Sequence, residues 1–473
     1  MRACCAAGVR SCTRRSPGCS KSDFSDIVEG QPEFVAQHFT EAGLTERAVA
    51  YWQRAGEHAV ARSANLEAIA HFGRGIEVLK NLPENQARDE RELMLRLASI
   101  NPVWASRGFG SAEAERAAAS ALELSRRSGI DTPAHFWALI GMVHFCVVRG
   151  NLPLGRELGE EMLSVAERLE DSEPLAYARF LFGNTLFWFG ELAAARTHLE
   201  RAIDLYDPGR GREAAFRLGF NCGSNSYNFL GRVLWHLGYP GQALRCSRQA
   251  VAIADEIAHP LSQAVALSWT AALHQLRREV GRALEVAEAD LALTTEQIIP
   301  FFAAHAMVLS GWALSGRGQF DEGIARLHEG VDAYQATGAI IETPHWLALL
   351  AEVCGKEGRF GETQVVLRDA FALVERTGIR CHEAELHRLQ GELFLGRDEE
   401  SAEVCFRRAI DIARAQQAKS FELRAATSLA RLWQSLGRRG AARDLLAPVH
   451  GWFTEGFDTA DLKDAKSPLD QLA

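Results

Sequence analysis

Apolar residues recur along most of this chain at three- and four-residue steps, with no competing strand-like alternation, so the sequence predicts helices throughout. The helices are ruled at a regular interval. Residues suited to tight turns fall at Gly150, Gly190, Gly238, Arg278, Gly318, Gly358, Gly396 and Gly437, at steps of 40, 48, 40, 40, 40, 38 and 41 residues. Proline supplies an independent ruler: Pro133, Pro174, Pro260, Pro300 and Pro344 each open a helical run, where the missing N–H costs nothing.

Between these marks the side-chain sizes repeat. Seven residues before the turn the position is small, as in Gly183, Gly231, Ala271, Gly311, Ala351 and Ala430. Five after it the position is small again, as in Ala195, Ala243, Ala283, Gly323 and Ala442. Larger apolar residues stand four before (Leu186, Leu234, Leu314, Trp433) and nine after (Leu199, Leu327, Leu367, Leu446). Small residues at facing positions let two antiparallel helices approach closely, and the larger ones fill the space beside them. This is the logic of the tetratricopeptide (TPR) pair, stretched from a period of about 34 residues to about 40.

The fold class expected is therefore all-α: a TPR-like α-solenoid of about nine or ten helix pairs, in a superhelix that is right-handed by analogy with TPR arrays. Residues 1–25 mix Cys, Arg, Ser and Gly without an apolar period and read as a disordered or wrongly assigned head. Residues 26–130 read as less regular helices, with the turn logic recurring at Gly43, Ala48 and Trp52 and helices at about 86–100 and 111–128. The regular array spans 131–457 and a tail follows at 458–473. The single 48-residue step is assigned to a loop at Asp207-Pro-Gly-Arg-Gly-Arg212.

Composition excludes several function classes. With 473 residues, 47% hydrophobic, 24% charged and a net charge of −9, the chain is neither disordered in bulk nor surrounded by a basic field. Nucleic acid is not an expected partner. The most apolar run, Phe180 to Phe189, is too short for a bilayer, so no membrane partner is expected and a cytoplasmic location is. Cys4, Cys5, Cys12 and Cys19 crowd the head without histidines or ligand pairs, and the other six cysteines are scattered singly as small buried residues. No metal and no cofactor is expected.

Several phrases exceed generic TPR pattern: Gln37-His-Phe-Thr-Glu-Ala-Gly-Leu44, Ala50-Tyr-Trp-Gln-Arg-Ala-Gly56, Ala384-Glu-Leu-His-Arg-Leu389 with Gly391-Glu-Leu393, Gln416-Gln-Ala-Lys-Ser420 and Arg424-Ala-Ala-Thr-Ser-Leu-Ala-Arg-Leu432. Over about residues 30–465 the chain resembles the C-terminal helical region of bacterial class III adenylate/guanylate cyclase-like predicted ATPases. The resemblance implies a signalling context, in which a cyclase domain and a STAND-type NTPase precede the repeats. This chain carries neither: Gly355-Lys356 is followed by Glu357, and no phosphate-cradling G-x-x-x-x-G-K-[ST] loop exists. An enzyme is therefore not expected, and the chain could be an orphaned fragment of such a protein.

Candidate binding residues lie on the helix after the irregular loop. Asn221, Asn225, Asn228 and Arg232 recur at helical steps opposite the apolar stripe Phe220, Tyr227, Leu230 and Leu234. They form either a row that binds a protein or peptide in the concave groove, the resemblance implying the NTPase module as that partner in full-length relatives, or a merely solvated face. His274-Gln-Leu-Arg-Arg278 offers a second candidate, an anion anchor, against ordinary helix-dipole partnering. His382 and His387 are five apart, one too many for a zinc pair on one helix face. Trp188, Trp235, Trp312 and Trp433 precede turns and are expected to pack. The function expected is a protein-interaction scaffold or regulatory arm. The alternative is a small-ligand sensor, as in the superhelical regions of ATP-dependent transcription regulators. An array with an uncapped apolar N-terminal end is also expected to self-associate.

Overall fold

The computed structural model describes residues 31–128 and 132–472, and among them contains 23 helices and no strand. The head at 1–25 lies outside the described residues. The N-terminal helices are α1 (Pro32–Glu41), α2 (Thr45–Ala61), α3 (Asn65–Leu79), α4 (Gln86–Arg107), α5 (Ala112–Ser128), α6 (Pro133–Val148) and α7 (Leu152–Arg168). The middle comprises α8 (Ser172–Phe189), α9 (Leu192–Leu205), α10 (Pro208–Leu218), α11 (Cys222–His236), α12 (Pro240–Ile257), α13 (Pro260–Leu276), α14 (Val280–Glu296), α15 (Pro300–Gly316) and α16 (Phe320–Ala336). The series closes with α17 (Thr343–Lys356), α18 (Phe360–Thr377), α19 (Glu383–Phe394), α20 (Glu399–Ala415), α21 (Lys419–Ser435), α22 (Arg439–Gly451) and α23 (Ala460–Leu472). No described helix is long and apolar enough to cross a membrane.

The turn ruler marks the reversal inside each pair. Gly150, Gly190, Gly238, Gly318, Gly358, Gly396 and Gly437 all take positive φ, and Arg278 does so at 60°. The next N–H reaches back to close the helix end, as Asn151 does to Cys146 (2.8 Å) and Tyr239 to Leu234 (2.8 Å). The small positions meet across the pair: a Cβ on Gly311 would lie 2.8 Å from the Gly323 carbonyl oxygen, and one on Gly183 3.2 Å from that of Ala195. A further pair, α2/α3, obeys the same offsets from Ser63 (φ 57°), with Gly56 seven before and Ala68 five after.

One expectation fails locally. Residues 207–212 are not a loop but the start of α10. Asp207 accepts the Gly209 N–H (2.8 Å), Pro208 takes the first turn, and Gly211, Ala214 and Ala215 are buried. A good cap and a packed small-residue face outweigh the two glycines. The tail likewise is helical: α23 buries Leu462, Ala465 and Leu472 in a cluster with α20, α21 and α22.

The superhelix does not stay open. Contacts join chain positions 185 and 189 residues apart, as Ser420 Oγ donates to the Trp235 carbonyl and Arg149 to that of Gly338 (2.8 Å). The Ile340 N–H donates to Val148 O and the Arg380 N–H to Trp188 O, both at 2.8 Å. Phe109 packs on Phe301 at 5.1 Å between ring centroids. Each bond joins residues about five units of ~40 residues apart, so successive turns stack directly. One continuous buried cluster consequently runs from Leu93 to Phe421, where a simple array would bury only neighbour against neighbour.

Candidate functional site

The stacked turns enclose a polar hub at the inner ends of α11, α17 and α19. Arg232 on α11 and Glu342, just before α17, form an ion pair at 2.8 and 3.4 Å, and both side chains are fully buried. The guanidinium also lies over four aromatic rings: Trp269 (4.5 Å), Phe187 (4.8 Å), Trp188 (4.9 Å) and Phe229 (5.7 Å). Burial raises the Glu342 carboxyl, but Arg232 and His345 outweigh it and hold the group at about 2. A charge pair at this depth is kept by mutual compensation and by the rings around the cation.

Imidazoles surround the pair. His345 stands 3.4 Å from Glu342 through Nδ1 and 3.2 Å from Gln275 through Nε2. A neutral ring donates to only one of them. His236 donates from Nδ1 to the Arg232 carbonyl (2.8 Å), and burial lowers it to about 3. Burial likewise lowers His305 to about 3 and His382 well below its usual value.

Glu342, His345 and His382 bring potential metal-ligand atoms within 4.8 Å of one another. Their geometry fits a metal poorly. The His345 and His382 rings stack at 4.1 Å with 10° between planes, so their in-plane lone pairs run parallel and share no point. The one carboxylate already holds Arg232. The hub is better described as hydrogen-bonded and stacked.

The four residues expected to line a groove are inside this structure, not on an open face. Asn221 caps α11, accepting the Ser224 N–H (2.8 Å) and donating to Tyr206 Oη and the Gly211 carbonyl (both 3.1 Å). Asn225 borders an interior cavity of about 60 Å³ with Trp188, Phe229 and Trp269. Asn228 is buried with neither amide atom hydrogen-bonded, and Arg232 is in the hub. The solvated-face alternative fails with the open groove, and for the same reason: the next turn covers the inner surface of α11. The expected packing of Trp188, Trp235, Trp312 and Trp433 is observed, as all four are buried.

An open polar site lies elsewhere, on the inner faces of α17, α19 and α21. A cavity of about 320 Å³ is lined there by Glu352, Lys356, Arg388, Arg424, Ser428 and Arg431, among others. Its charges are interlocked. Arg388 holds Glu385 (2.8 Å) and Glu392 (3.0 Å), and Lys356 holds Glu352 (2.6 Å). Burial raises Glu352, but Lys356, Arg388 and Arg424 bring it to about 2. Arg278, from the second sequence candidate, reaches Asp461 (3.3 Å) and Asp464 (2.6 Å) of α23. Arg424 also holds Asp461 (2.9 Å) and donates to the Leu276 carbonyl (2.6 Å). Arg278 is thus an anion anchor whose anions come from the chain itself, while its neighbour Arg277 is spent on Glu279 and the Pro240 carbonyl. Sequence reasoning missed Arg388, Arg424 and Arg431, whose Glu/Arg spacing reads as ordinary helix-surface pairing.

Fold and groove together define a TPR-like helical repeat protein with stacked turns. No protein-family model matches the chain. Its sequence is similar to an uncharacterized protein, R02095, of Rhizobium meliloti, at 24% identity over 417 residues, which cover 85% of this chain and 39% of that protein. Among solved structures it is similar to a Rap protein complexed with Competence and Sporulation Factor: TM-score 0.58, 14% identity, covering 79% of this chain and 99% of that one. NprR in complex with its cognate peptide NprX aligns at TM-score 0.48 and 11% identity, over 72% of this chain and 98% of that one. At these identities the likeness concerns the fold.

Proposed function

We propose that the chain is a protein-interaction and regulatory module that holds a peptide segment of a partner protein in the charged groove of α17, α19 and α21. The observation that carries this reading is the cavity of about 320 Å³ on that inner face, lined by both signs of charge and left uncovered by any further described turn. Around Arg232 the inner face is filled, and the cavity of about 60 Å³ beside it is too small for a peptide. Alternating carboxylates and guanidiniums suit a segment of complementary charge pattern, and Arg431, which already donates to the Asp464 carbonyl (3.0 Å), shows that the groove can hold a backbone carbonyl. The Rap structure, determined in complex with Competence and Sporulation Factor, supports partner binding as a use of this fold. The resemblance to cyclase-like ATPases suggests a finer version, in which the partner is a signalling NTPase module. The Rhizobium relative, more than half of which lies outside the match, leaves room for one in that protein.

The test is selection from a displayed random-peptide library with the full chain as bait, followed by measured affinities. A charge-patterned sequence class should emerge, and the exposed substitutions Lys356→Glu and Arg431→Glu should weaken it at least about tenfold, or about 1.4 kcal/mol. Failure of any class to emerge, or unchanged affinity in the double variant, would remove this groove as the binding surface.

A further inference from the structure

An apolar cavity that shares no lining residue with that groove is closed in part by the helix that breaks the repeat. It measures about 540 Å³ and sits between α2, α4 and α6, with α10 across it. Met94, Leu97, Trp104, Trp137, Ile140 and Phe216 provide most of its wall. Both size and lining fall within the range of small-molecule sites.

Helix α10 is fixed as a cover. Asn101 donates to the Phe216 carbonyl (2.8 Å), Arg217 pairs with Glu173 (3.0 Å), and Arg210 pairs with Asp171 (3.0 Å) and Glu173 (2.6 Å). Asn221, through Gly211, ties the start of α10 to the cap of α11. A regular unit has no counterpart to this helix, and deleting it would open the cavity to water.

The polar groups at the mouth select a charge. Glu57 and Glu213 line it and are exposed; Glu57 accepts the Gln53 amide N–H (2.8 Å), and neither carboxylate is in an ion pair among the described residues. The one cation there, Arg217, is neutralised by Glu173. Arg217 also lies over the Trp137 ring at 4.9 Å, so this wall already accommodates a cation. An apolar chamber with aromatic walls and unpaired carboxylates at its entrance is complementary to an apolar molecule carrying positive charge.

We propose that this cavity is a binding site for a hydrophobic organic cation, independent of the peptide groove. Two isosteric probes separate shape from charge: tetraphenylphosphonium and tetraphenylborate, titrated into the full chain by calorimetry and by quenching of tryptophan emission. The phosphonium should bind saturably, about tenfold or more tighter than the borate, as two carboxylates near the surface imply. Glu57→Gln with Glu213→Gln, both at exposed positions, should erase the preference while leaving a residual apolar affinity. Ala98→Trp, which fills the chamber, should abolish binding of both probes. Equal or tighter binding of the borate, no saturable binding of the phosphonium, or phosphonium binding unchanged in a folded Ala98→Trp variant would each overturn the proposal.

Discussion

The hub around Arg232 and the groove around Arg388 are made of the same materials and end in opposite states. Each sets guanidiniums against carboxylates on the inner ends of first helices. Around Arg232 the next turn lies on top, so the pair is fully buried, its hydrogen bonds are internal, and four aromatic rings fill the remaining space. Around Arg388 no further described turn follows, and the same kind of network borders a cavity of about 320 Å³. In this fold, whether a charged inner face is structure or binding surface depends on stacking and not on its residues.

Breaking the hub should have the largest effect. Arg232→Ala leaves Glu342 buried and unpaired, and denaturant unfolding should show a loss of about 3–5 kcal/mol. Arg232→Met with Glu342→Leu should recover most of it, because the cost lies in the orphaned charge and not in a missing attraction.

Acid should weaken the hub next. His236 and His305 are held neutral to about pH 3, whereas unfolded histidines take up protons below about 6.5. Stability is therefore full above 6.5 and falls as pH drops toward 3. By pH 5 each ring should cost about 2 kcal/mol relative to pH 7, read as a falling melting temperature. Replacing His305, neither nitrogen of which is hydrogen-bonded, with Phe should flatten part of that slope.

A smaller loss is expected where two helices of one pair touch. In Gly311→Ala the new Cβ would meet the Gly323 carbonyl and the Leu327 N–H nitrogen at 2.8 Å, both backbone atoms that cannot swing aside. About 1–3 kcal/mol should be lost, with the pH dependence unchanged.

The groove should respond least. Asp464→Asn removes a pairing to Arg278 whose partners are 37% and 43% exposed, and should cost at most about 1 kcal/mol. Its consequence should appear instead as faster proteolysis of α23.

How much of this was legible depended on distance along the chain. The turn ruler and the small positions at Gly311 and Gly323 lie within a dozen residues of each other, and local periodicity reports them directly. Ser63 escaped because the ruler of regular steps starts at Gly150, although Gly56 and Ala68 keep the offsets. Helix α10 escaped because Pro-Gly-Arg-Gly reads as a loop until Asp207 is seen to cap it. Arg232 could not be placed at all: its partner is 110 residues away, and its cover arrives from the next turn. Nothing in a 40-residue repeat states its superhelical pitch, which alone sends Asn225, Asn228 and Arg232 inside.

Two cysteines test that stacking directly. Cys354 and Cys381 are both fully buried, but Cys354 lies within its own helix pair, whereas Cys381 adjoins the Arg380 N–H that bonds to Trp188 of the preceding turn. Site-resolved alkylation of the native full chain, read by mass spectrometry, compares them within one molecule. If the turns stack, both thiols should react only at the rate of global unfolding, and Arg232→Ala should accelerate both together. If Cys381 is labelled far faster than Cys354 in the unmodified chain, the turns stand apart, the interior is an open groove, and the account is wrong.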